Sequence, residues 1–151
     1  MIHEEKKITA TKFMPKAWPI PAINEFNRPF FTSGTIVLQE CSVCGCIQHP
    51  PEEFCHQCFG VEFISRATSG QGAIYSYTVV HHPVALVLTE VVPYAIALVA
   101  LDEYPAVRLL GNVLNCSPDN IRIGQRVKAV FEEIHDEELN LRILLPQWHV
   151  I

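Results

Sequence analysis

Positive charge is scarce in this chain. Its 151 residues carry 11 lysines and arginines against 16 carboxylates, a net charge of −5. Such a surface is a poor seat for a polyanion unless the basic residues cluster. The densest group, Arg122, Arg126 and Lys128, is followed at once by Glu132 and Glu133. Aromatics interleaved with cations, the footprint of a single-strand nucleic-acid binder, are missing. Long apolar runs are missing too: the longest, residues 84–101, is broken by Glu90 and Pro93, so no membrane span is expected. The opening residues MIHEEKKITA mix charges and lack the apolar stretch of a secretory leader. There is no P-loop, no G-x-G-x-x-G behind a strand, no nucleophile elbow and no internal repeat.

What the chain does have is cysteine. Cys41, Cys44, Cys55 and Cys58 form a C-x2-C-x10-C-x2-C array. Each C-x2-C knuckle sets two thiolates on one tight turn, and the loop between only has to bring the knuckles face to face. With no leader and with 49% hydrophobic residues to build a core, reduced, metal-bound thiolates in the cytoplasm are expected rather than disulfides. Gly45 follows Cys44, and Gly60 lies two residues past Cys58. Both are read as turn glycines taking a positive φ. Four thiolates close the coordination shell, which suits structural zinc rather than zinc that activates water. An iron centre on similar knuckles stays open as the alternative, distinguished by its red colour.

The remaining pattern is mainly β. Pro15, Pro19 and Pro21 break up the first twenty residues, and a short helix is expected over residues 22–32, limited by Pro29 and Gly34. Its aromatics Phe26, Phe30 and Phe31 either pack on their own domain or insert into a partner. Strands are expected at 35–40 and 61–65 around the knuckles, then at 73–80, 94–101, 107–114, 126–132 and 140–145. In the 126–132 strand Val127, Ala129 and Phe131 are assigned to the inside and Glu132 to the outside. Gly111 is expected to mark a bulge or bend. Five strands in some 80 residues fit a small closed barrel of the OB type, with a small sandwich as the competing form. The expected organisation is an arm and short helix over residues 1–34, a ribbon over 35–65, and a barrel over 66–151. The barrel ends in an apolar tail whose Trp148 is a second candidate for partner contact.

Other reactive residues have plainer readings. Cys46 lies two past Cys44 and fits a knuckle less well. Cys116 is isolated, as a buried small hydrophobe would be. His81 and His82 close a strand before Pro83, and His49 and His56 lie inside the metal loop. No acid, base and nucleophile are brought together by local spacing.

The order of these pieces carries a resemblance. It runs from Arg28-Pro29-Phe30-Phe31 through the ribbon, with Pro50-Pro51 in its loop, to GQGAIYSYTVVH at 70–81. Then come PYAIALVALDE at 93–103 and IGQRV at 123–127. This resembles the DUF35 family, OB-fold proteins with a rubredoxin-like zinc ribbon that are associated with acyl-CoA enzymes. The resemblance implies a non-catalytic accessory subunit. Its partner would be a thiolase-superfamily catalytic subunit that makes or cleaves C–C bonds in acyl-CoA thioesters, with acyl-CoA or CoA at or near the shared interface. A stand-alone acyl-CoA carrier or sensor is the alternative, and a single-strand nucleic-acid binder a weaker one. Two departures from the family pattern stand out: His56 replaces a usual Pro, and the glycine usual directly after the fourth cysteine is displaced to Gly60, behind Phe59.

Overall fold

A computed structural model describes residues 13–151. Helix α1 (Arg28–Thr32) has Pro29 in its first turn, where the missing N–H costs nothing. It is shorter than expected because an Asn24–Asn27 turn precedes it. The side-chain oxygens of those two asparagines each accept the other's backbone N–H, which holds the chain out of the helix.

The first sheet is the ribbon. Strand β1 (Val37–Cys41) pairs antiparallel with the two-residue β2 (Ile47–Gln48) and with β3 (Phe63–Ala67), in the order β2-β1-β3. The second sheet holds β4 (Gln71–Val80), β5 (Tyr94–Leu101), β6 (Arg108–Asn112), β7 (Arg126–Asp136) and β8 (Leu141–Val150), in the order β6-β5-β4-β7-β8. A parallel bridge between Val113 and Trp148 brings the two edges together, and the Leu114 N–H donates to the Trp148 carbonyl at 3.0 Å. Five strands closed in this order make the OB barrel. Strand β5 alternates strictly, with Ala95, Ala97, Val99 and Leu101 buried. This is what one-sided burial demands of a pleated strand.

Several expectations change here. The apolar C-terminal tail is not a surface element: residues 141–150 form β8, and Trp148 is completely buried. Its exposure to a partner is therefore corrected to a core role. Gly111 is no bulge. A Cβ there would lie 2.8 Å from the Trp148 ring, so the absence of a side chain is what lets the indole lie across β6. Glu132 points inward, not outward, and is as buried as the core. Its Oε1 accepts the Met14 N–H at 2.7 Å and its Oε2 accepts Gln147 Nε2 at 3.1 Å. Gln147 Oε1 in turn accepts the Asn112 N–H at 2.7 Å. Each buried acceptor is thus satisfied.

One core runs through both sheets. Phe30, Ile36 and Leu38, from the helix and the ribbon's base, join Ile74, Val99, Leu109, Val127 and Trp148 in a single cluster. Phe31 packs against that cluster from its edge. Replacing Trp148 with Ala is expected to cost about 3–5 kcal/mol, read as a lowered urea midpoint. An unchanged midpoint would mean that the buried Trp148 ring does not hold the barrel core together.

Candidate metal centre and its surroundings

The two knuckles face each other, as the cysteine spacing requires. Cys41 ends β1 and Cys44 closes its turn, while Cys55 and Cys58 lie on the loop between β2 and β3. The four Sγ atoms lie within 4.8 Å of one another, with Cys41 to Cys58 at 3.5 Å and Cys44 to Cys55 at 3.6 Å. A tetrahedral ion with bonds of about 2.3 Å needs sulfur–sulfur separations of about 3.8 Å. The donor set and the spacing fit such an ion, and the chemistry is consistent with zinc. Cys41 and Cys55 are buried, while Cys44 and Cys58 lie toward solvent.

Backbone geometry prepares the sulfurs. The N–H groups of Cys44 and then Val43 hold the Cys41 thiol below its ordinary pKa. Those of Cys58 and then Gln57 hold Cys55 down to about 6. The second cysteine of each knuckle moves the other way. At Cys58 the Gly60 N–H favours the thiolate but is outweighed by Cys41, burial, Cys44 and Cys55, which push the thiol up to about 12. Four thiols this close cannot all ionise without a cation between them. An ion bound there would replace the protons and remove that conflict.

The knuckles match in their bonds but not in their residues. Gly45 N–H donates to the Cys41 carbonyl at 2.8 Å, and Phe59 N–H donates to the Cys55 carbonyl at 2.8 Å. Gly45 sits at φ +76° and Phe59 at φ +61°. The positive φ expected of Gly60 therefore falls on Phe59, a residue with a steep steric objection to it. Gly60 is needed for a different reason. A Cβ there would come within 3.3 Å of both Cys41 Sγ and Cys58 Sγ. The displaced glycine in the sequence was the available sign that its neighbour must take the left-handed turn.

The other reactive residues fall outside the cluster. Cys46 Sγ is 3.5 Å from His56 Nε2. The thiol of Cys116 is pushed up by burial, which keeps it protonated and unreactive. Gln39 and Gln48, which sequence reading passed over, bind the metal loop to the sheet. Gln48 Nε2 donates to Gln39 Oε1 at 2.6 Å, and Gln39 Oε1 also accepts the Glu52 N–H at 3.0 Å. Gln48 Oε1 accepts the His56 N–H at 3.1 Å. Of the aromatics expected at a partner surface, Phe30 is buried, while Phe26 and Phe31 are partly covered. Phe30 meets Phe31 edge-on with centroids 5.0 Å apart and His49 at 4.9 Å. His81 and His82 are exposed at the end of β4. The basic group Arg122, Arg126 and Lys128 does not form a free patch. Arg126 pairs with both oxygens of Asp102 at 2.5 and 2.6 Å, and Arg122 donates to the carbonyls of Asp119 and Ile121.

Known proteins share this arrangement. The family described as the ChsH2 C-terminal OB-fold domain matches residues 65–132. A DUF35 domain-containing scaffold protein of Methanocaldococcus jannaschii is 35% identical over 98 residues, 64% of this chain and 67% of that one. The solved Ltp2-ChsH2(DUF35) aldolase contains a chain 32% identical to this one. The two superpose with a TM-score of 0.68, over 87% of this chain and 98% of that one. The chain belongs to the DUF35 family. A longer relative, the probable enoyl-CoA hydratase alpha subunit of Thermomonospora curvata, is 37% identical over 145 residues. Those residues make up 93% of this DUF35 chain but only 44% of the relative, so the chain spans under half that protein's length. Among the described residues no helix is long and apolar enough to cross a membrane.

Two outcomes follow from the centre. Cys41→Ser should leave the purified protein with little bound metal by elemental analysis and lower its melting temperature, as chelation of the unsubstituted protein should. Phe59→Gly should retain the metal and stabilise the fold by about 1 kcal/mol, because it removes the left-handed strain. Urea denaturation measures the second, and a loss of stability would show that the Phe59 ring contributes more packing than its turn costs.

Proposed function

We propose that this chain is a non-catalytic accessory subunit of a thiolase-superfamily enzyme acting on acyl-CoA thioesters. The match to nearly the whole DUF35 chain of an aldolase carries the reading. Its relatives of similar sequence include a scaffold protein and a hydratase alpha subunit. Zinc is the ion proposed for the four thiolates, since four sulfurs close its shell and leave no position for a reacting water. It would fix the ribbon as a rigid element of a docking surface. The barrel would help shape the site where acyl-CoA or CoA lies, and the catalytic groups would come from the partner. Four cysteines grouped as a metal site rather than spread as disulfide pairs favour the cytoplasm.

The use made of the polar residues supports this. Glu132 is spent on Met14 and Gln147, Asp102 on Arg126, and Glu103 on the Ser69 N–H. Each of these carboxylates is committed to holding structure.

Co-expression with a thiolase-superfamily subunit from the same organism should give a stable hetero-oligomer, and C–C bond cleavage or formation that neither chain shows alone. If this chain purifies alone and binds CoA tightly without a companion, the accessory reading fails in favour of a carrier.

A further inference from the structure

Beside the second knuckle lies a cleft of about 530 Å³, whose apolar lining includes Phe26, Phe54 and Phe59. Phe54 and Phe59 are exposed, Phe59 by 77%. His49 lies in the floor, held near pKa 4 by burial, so it stays uncharged at neutral pH. Glu52 and Glu53 stand on the rim with exposed side chains. Neither forms an ion pair among the described residues, and no lysine or arginine lines the cleft. Glu53 also borders a neighbouring hollow of about 390 Å³ between α1 and the ribbon sheet, which Glu25 joins.

The strain at Phe59 gives this cleft its direction. The matching turn in the first knuckle uses glycine, and glycine would serve here too. Instead the chain holds a large aromatic in a left-handed turn with most of its surface in water. The ring is no part of the hydrophobic core, and strained backbone of this kind clusters at functional sites.

We propose that this cleft receives a segment of the catalytic subunit that presents one large apolar side chain flanked by lysine or arginine. The apolar side chain would pack among Phe26, Phe54 and Phe59, and the basic residues would pair with Glu52 and Glu53. The proposal rests on the accessory-subunit reading and adds the docking site and the chemistry it accepts.

The test uses a thiolase-superfamily subunit from the same organism as the probe, with binding measured by calorimetry at low and high salt. Phe59→Gly, with its metal content and melting temperature checked first, should weaken association by at least about 30-fold, as loss of an aromatic anchor does. Glu52→Lys with Glu53→Lys should weaken it by about 10-fold or more and flatten its salt dependence. If the unsubstituted chain binds and both variants bind equally well, the cleft is not the docking site, while the accessory function stands. If the unsubstituted chain does not bind at all, the accessory function falls and this proposal with it. If sedimentation instead shows a homodimer that Phe59→Gly dissolves, the occupant is a second copy of this chain and the proposal is overturned.

Discussion

The ribbon is too small to bury a core of its own, and much of the structure answers to that constraint. It has three short strands, one of them two residues long. A sheet of that size does not hold itself in water. It is secured at both ends. At its base, Ile36 and Leu38 sit in the same apolar cluster as the barrel's Ile74, Val99 and Val127. At its tip, four sulfurs stand at the separations of a tetrahedral ion. Between the two, Gln39 and Gln48 tie the loop's backbone to the strands. An ion held by these sulfurs would keep the hairpin rigid against the barrel and so fix the surface the hairpin presents.

The barrel depends on a comparable economy. Its edges meet at Trp148, whose ring lies against Gly111 and whose carbonyl takes the Leu114 N–H. The polar residues beside it form a relay from Asn112 through Gln147 to Glu132 and the Met14 backbone. Burying a carboxylate is costly unless hydrogen bonds satisfy it. Here the relay joins three strands, β6, β7 and β8, to a segment far away in sequence, so the cost is offset by contacts that specify how the strands close.

How much of this was legible in the sequence depended on how local its cause was. The cysteine spacing is local, and the knuckles lie where it put them. Residues 94–101 alternate in a simple way and form the strand expected, to the residue. The five-strand barrel followed from turn residues between β-rich runs. The strand over 140–145 is legible, but its continuation through Trp148 reads as an exposed tail, because Pro146 and Gln147 interrupt the pattern. Its burial is decided by Gly111, more than thirty residues away. Glu132 failed for the same reason: alternation placed it outside, and partners at positions 14 and 147 bring it in. At Phe59 the local signal was present but divided, since the glycine needed for sulfur contact and the residue needed for the left-handed turn are neighbours.

That division bears on how such a ribbon becomes specific. The four cysteines dictate two turns, and each turn asks for a left-handed residue after its second cysteine. Glycine answers both demands at no steric cost. Where glycine is used, as at Gly45, the turn presents no side chain beside the sulfurs. Where Phe59 is used, the same backbone also aims a ring outward beside Glu52 and Glu53, which form no ion pair among the described residues. Ordering a loop on binding costs conformational entropy, and a ring carried on a turn whose backbone is already set avoids that part of the cost. The metal centre would then contribute to association without touching the partner, by holding in place the side chains that do.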